Sequence, residues 1–226
     1  MLRDAIERGD VAAAQALRLG TCNHAWLVRG KPDEARAQLE SAERTLGDGF
    51  YLPRAQAVIA AANIDLYTGD AASAGHRIRD AWVQLDKLGL ARLQLPRLEL
   101  THLRARIALA DHRRPVAERL REARVHASTL LDEGAAWAAP LGHLVRAACH
   151  AWEGAPAPAK VELETAETQL ATHGMAAYVQ IVRMLRGWLE GGAGGIARAE
   201  AARDSLMELG AWDPDVMAAH LVPWPR

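Results

Sequence analysis

Apolar residues recur along this chain with the spacing of amphipathic helices. Ile78, Ala81, Trp82, Leu85 and Leu88 fall at i, i+3, i+4, i+7 and i+10, while Arg77, Arg79, Asp80 and Lys87 lie mostly off that line. Leu120, Ala123, Ala127, Leu130 and Leu131 form a second stripe, and Val182, Leu185 and Leu189 a third. No stretch alternates apolar and polar residues over a useful length, so strands are not expected. Gly and Pro punctuate the pattern. Gly30 to Asp33, Gly69-Asp70, Asp111 to Pro115, Gly154 to Pro158 and Gly191 to Gly195 read as turns. A second set at Gly47-Asp48-Gly49, Gly89, Gly134, Gly174 and Gly210 lies between them. The first set returns about every 40 residues, the period of a two-helix repeat.

The spacing predicts helices over 21–30, 32–46, 52–68, 71–88, 92–110, 115–133, 136–152, 157–172, 175–190 and 195–209. A partial hairpin is expected at 1–18 and a short closing segment at 213–221. The fold expected is all-α: a tetratricopeptide-like superhelical stack of antiparallel helix pairs, an α-solenoid. It would form one domain over residues 1–226, with about five helix pairs, a partial N-terminal pair and a capping segment at 211–226. One hairpin cannot hide its apolar face alone, whereas stacked hairpins can.

Composition sharpens the class. Half of the residues are hydrophobic, and Ala, Leu and Arg dominate while there is a single Phe. That bias suits helices and not strands. The net charge is -1, from 27 basic and 28 acidic residues, which argues against a nucleic-acid binder. Arg113-Arg114 and Arg119-Leu120-Arg121 are offset by Asp111, Glu118 and Glu122, and they read as a solvated helix face. Two distant cysteines, Cys22 and Cys149, make no disulfide framework and point to a reducing cytoplasm. No run of 18 apolar residues suggests a membrane span.

The repeat pattern resembles tetratricopeptide repeats. A more specific likeness covers residues 51–226, which resemble the C-terminal helical region of large bacterial serine/threonine protein kinases of the myxobacterial kind. It rests on Ile64 to Asp70, Trp82 with Leu85 and Leu88, Leu93-Gln94, Arg97 to Glu99, Leu103 to Ala110, and the ending from Gly210 to Asp215 and on to Leu221-Val222-Pro223. The resemblance implies a regulatory or interaction region following a kinase domain in a longer chain. The kinase motifs themselves are missing from this sequence: no Val-Ala-Ile-Lys strand, no His-Arg-Asp loop, no Asp-Phe-Gly. A non-catalytic protein–protein interaction or regulatory scaffold is therefore expected. The alternative is a ligand-sensing helical repeat region of a multidomain transcriptional regulator.

Candidate chemistry is sparse. Cys22 and His24 lack the further ligands of a zinc site. His143, Cys149 and His150 share a helix, but no group to orient a nucleophile is evident. Glu162, Glu164 and Glu167, with Asp132 and Glu133, read as solvated charges. Gly191 to Gly195 follows a helix and is not followed by Lys, so it reads as a flexible turn and not a phosphate loop. No catalytic, cofactor or metal residue is assigned. Of the seven tryptophans, Trp82 is expected in the core and Trp152 and Trp188 between hairpins. Trp212 and Trp224 are expected to cap the last apolar face or to touch a partner. The expected partner is a protein or peptide segment, possible sources including a kinase domain in the same parent chain, with no nucleic acid and no membrane. It would lie in a groove lined by the first helix of each pair, at Asn63, Tyr67, Arg97, His102, Arg106, His143, Arg146, Tyr178 and Arg183.

Overall fold

The computed structural model describes residues 1–47, 51–89 and 92–225. Among these residues the chain is all-helical, with no strand. Each helix packs mainly on its neighbours in sequence, as a helical repeat stack requires. The chain divides into two compact units, Met1–Arg97 and Leu98–Arg226.

The first unit holds α1 (Leu2–Glu7), α2 (Val11–Arg18), a 3₁₀ turn (Gly20–Asn23), α3 (His24–Val28), α4 (Pro32–Glu43), α5 (Leu52–Tyr67) and α6 (Ala71–Lys87). The helix expected at 21–30 opens as the 3₁₀ turn. There buried Asn23 donates to Arg18 O (2.9 Å) and Ala35 O (3.1 Å) and ties that turn to its neighbours. The turn expected at Gly47-Asp48-Gly49 lies largely outside the described residues. Elsewhere the start signals act as their chemistry dictates. Gly69 takes φ +84°, which favours glycine, and ends α5. Asp70 then accepts from Ser73 N at 3.1 Å and caps α6.

The core of this unit gathers Leu19, Leu27, Ala35, Leu39, Ala42, Ala60 and Ile64, flanked by Trp26, Tyr51 and Tyr67. Alanine at so many contacts brings the axes close, and the leucines fill the layers between. Asp65 on α5 is buried. It is held by Arg36 from α4 at 3.2 Å and by Arg77 from α6. One carboxylate thus ties three consecutive helices, and two half-exposed guanidiniums replace the water it has lost. Trp82 is not in the core. It remains 38% exposed, because the buried stripe of α6 runs through Ile78 and Leu85 on the adjoining side.

The second unit holds most of α7 (Gln94–Ala110), then α8 (Val116–Asp132), α9 (Ala139–Trp152), α10 (Pro156–Thr172), α11 (Ala176–Glu190), α12 (Gly192–Glu208) and α13 (Pro214–Leu221). Successive helices pack on one another, joined by short turns that make neighbours antiparallel. The run Gly191 to Gly195 is not a flexible turn. Gly191 alone makes the connection, and the rest is the first turn of α12. Gly195 is buried against the Gly187 carbonyl of α11, which is why it is glycine.

His126 on α8 is buried, with Nε2 3.8 Å from Glu122 Oε1. Burial pushes its pKa down to about 4. Arg104 adds to this, and Glu122 opposes it. The unfolded chain therefore takes up a proton as pH falls below about 6.5, while the folded chain does so only near pH 4. Stability is lost across that window on acidification. Denaturant unfolding at pH 7 and pH 4.5 is expected to show a loss in the native chain that exceeds the loss in His126→Leu by roughly 2 kcal/mol. Equal losses in the two proteins would show that His126 does not carry the effect.

Candidate functional site: a helical face and the segment that fills it

The first helices of the pairs in the second unit are α7, α9 and α11. The chain's own C-terminal segment, α13 with the residues that follow, packs on α12 and reaches side chains of α7 and α9. Asp213 starts it by accepting from Asp215 N and Val216 N, both at 3.0 Å, and Pro214 supplies the preset first turn. Pro214, Met217, Ala218, His220, Leu221, Val222 and Pro223 are buried. So short a helix would not persist alone in water. Its order comes from the face beneath it.

Three of the nine candidate residues meet there. His102 and Arg106, one turn apart on α7, are both buried. The His102 ring stands 6.3 Å from the Tyr178 ring of α11, tilted by 54°. Arg106 Nη1 donates to His220 O at 3.3 Å and lies 3.5 Å from His220 Nε2. Burial lowers the pKa of the Arg106 guanidinium, and the neighbouring Tyr178 opposes that shift. Burial raises the pKa of the Tyr178 phenol, and Arg106 opposes it in turn. Arg106 thereby presents a buried donor to a main-chain carbonyl of the C-terminal segment.

A second anchor comes from α9. Trp152 Nε1 donates to Pro223 O at 3.2 Å. The Arg119 guanidinium of α8 sits 4.5 Å from the centre of the Trp152 ring and donates to Leu109 O at 2.7 Å. His112 packs against the same indole at 5.3 Å. Burial and the nearby Arg119 hold the His112 pKa below its usual value, against Asp111. Arg119 is therefore not on a solvated face: it is 2% exposed and braces the tryptophan that holds the segment.

The other candidates lie elsewhere. Asn63, Tyr67 and Arg97 belong to the first unit. Asn63 is buried and donates to Ile59 O of its own helix at 2.9 Å. Tyr67 flanks the core, and Arg97 is half-buried. On the second unit, His143 Nδ1 pairs with Glu162 of α10 at 2.6 Å, and Arg183 pairs with Glu167 at 2.8 Å. Glu167 also binds Arg186 of α11 and is a largely buried tie between helices and not a solvated charge, while Glu164 reaches the same Arg186 from an exposed position and remains solvated. Arg146 is half-buried on α9. Cys149 is buried, and its thiol is pushed up to about 11, so it stays protonated at neutral pH. Cys22 is exposed and not a core thiol.

His220, Trp152 and Arg119 were not singled out as face residues by sequence reasoning. A signal for the segment was present: Met217, Ala218, Leu221 and Val222 are too apolar to sit in water behind the Asp213-Pro214 start. Among the described residues, no group of three His, Cys, Asp or Glu side chains is placed to hold a metal ion, and no helix is long and apolar enough to cross a membrane. Comparison with protein-family models, with curated proteins and with solved structures finds no match to this chain.

Proposed function

We propose that this chain is a non-catalytic binding module, a tetratricopeptide-like stack of antiparallel helix pairs that receives a polypeptide segment on the α7–α9–α11 face. In this reading it serves as the regulatory C-terminal part of a bacterial serine/threonine kinase signalling protein. One observation carries the binding part: a polypeptide segment, Pro214 to Pro223, is buried on that face, held by side chains of α7 and α9 through its own carbonyls. Carbonyl contacts are indifferent to side chains, so a face that seats this segment can seat another of similar shape. The chain's own terminus then acts as a resident occupant that a partner displaces.

A labelled peptide of residues 211–225 tests this in trans. The tethered segment is present at an effective concentration of order millimolar, so the native chain should bind the peptide weakly. Met217→Asp, which weakens the tethered copy, should bind it at least about ten-fold more tightly. Absence of binding to both chains, with the segment released in Met217→Asp and helix content lowered by no more than that one short helix, would refute the reading. The signalling setting is tested by the adjoining reading frame. A kinase domain encoded there supports it, and a DNA-binding helix-turn-helix favours the transcriptional alternative.

A further inference from the structure

Beside the buried segment an open cleft of about 540 Å³ enters the second unit, within the size range of small-molecule sites. Pro156 at the start of α10 and Trp188 and Leu189 at the end of α11 form one side. Asp215 of α13, Trp224 and Pro225 form the other. Trp188 is 39% exposed. Two indoles, two prolines and a leucine make a lining that favours flat or apolar groups and cationic groups over aromatic faces.

Its charge is one-sided. Among the described lining residues Asp215 alone is ionisable. Arg203 of α12 donates to Asp215 Oδ2. That guanidinium also lies in the field of Asp213 and Glu200. Asp215 is thus the charged group that the described lining presents, and its partner Arg203 is not among the residues that line the cleft. We propose that the cleft binds an organic cation with an apolar body, an aromatic or alkyl ammonium. Its body stacks on Trp188 and Trp224, and its charge lies at the Asp215 wall. Such a ligand touches both the C-terminal segment and the helices on which the segment rests, so it holds the two together. The site exists with the segment in place and does not depend on the face accepting a peptide.

Phenethyltrimethylammonium, its neutral isostere with carbon in place of nitrogen, and the anionic phenylbutyrate would be titrated into the full chain. Binding would be read by calorimetry and tryptophan fluorescence. The cation is expected to bind at least ten-fold more tightly than either analogue and to raise the unfolding temperature. Trp188→Ala, a change at an exposed position, is expected to weaken the cation about ten-fold, and Trp188→Phe to restore most of the affinity. Equal binding of the neutral isostere would overturn the proposal. So would preference for the anion, which would then seat towards neighbouring Lys160. Cation binding that Trp188→Ala leaves unchanged would overturn it as well.

Discussion

Gly187→Val is expected to destabilise the second unit by about 4 kcal/mol, while Gly194→Ala in the adjoining helix is expected to stabilise it by up to about 1 kcal/mol. Helix propensity alone would predict a gain at both sites, since glycine in a helix interior costs about 1 kcal/mol relative to alanine. Packing reverses the sign at Gly187. A Cβ there would lie 2.5 Å from Gly195 O and 2.8 Å from Ala199 N. Those are backbone atoms of α12, and they cannot rotate away as a side chain can. Gly195 faces the same constraint from the Gly187 carbonyl, so the contact is reciprocal across the hairpin. Accepting even one methyl would force α11 and α12 apart and open voids at Leu185 and Leu206, both at most 1% exposed. Valine adds two further methyls, which carries the cost beyond the usual 1–3 kcal/mol of overpacking. At Gly194 an added Cβ meets nothing within 4 Å, and only the gain in helix propensity remains. Urea unfolding of the two variants, followed by circular dichroism, measures both. A Gly187→Val protein within about 1 kcal/mol of the native chain would show that the helices are not held at contact distance.

The same pair of glycines marks a boundary of what the sequence discloses. Helix positions were legible because apolar period, proline starts and Gly-Asp stops are local signals: 52–68 became Leu52–Tyr67 and 71–88 became Ala71–Lys87. Gly195 was read as the end of a flexible turn and the first residue of the helix at 195–209, and not as a packing position inside the helix, because a glycine needed for close approach and one needed for a turn are written with the same letter. Arg119 was placed in solvent for a similar reason. Its neighbours in sequence are charged, but its partners are a carbonyl on α7 and a ring on α9. His102, Arg106 and Tyr178 were selected by helix identity and polarity, and they do share one cluster. What fills that cluster was out of reach. Arg106 and His220 stand 114 positions apart, and no periodicity links them. Trp82 shows the opposite error: an apolar stripe wider than the contact it makes leaves its edge in water.

Met217→Asp is expected to lower stability by about 3–5 kcal/mol, and the reason for an upper limit is as informative as the loss. Met217 is 6% exposed in α13, so its removal forfeits roughly 1.5–3 kcal/mol of apolar burial. The new carboxylate would add several kcal/mol if it stayed buried and unpaired. The chain has a cheaper response. The segment can leave the face, and once free its eight-residue helix unravels, since so short a helix does not persist alone. The loss is then capped at the free energy of docking the segment, and the helices beneath remain folded. Hydrogen exchange distinguishes the two responses. Release of the segment alone exposes the Trp152 indole N–H, which Pro223 O otherwise accepts, while backbone protection along α8 to α11 persists. Far-ultraviolet circular dichroism should fall by no more than the share of one short helix. If protection across α7 to α12 collapses together with α13, the segment is an inseparable part of the core. No partner could then exchange with it, and the binding face argued from its seat would not exist as a face.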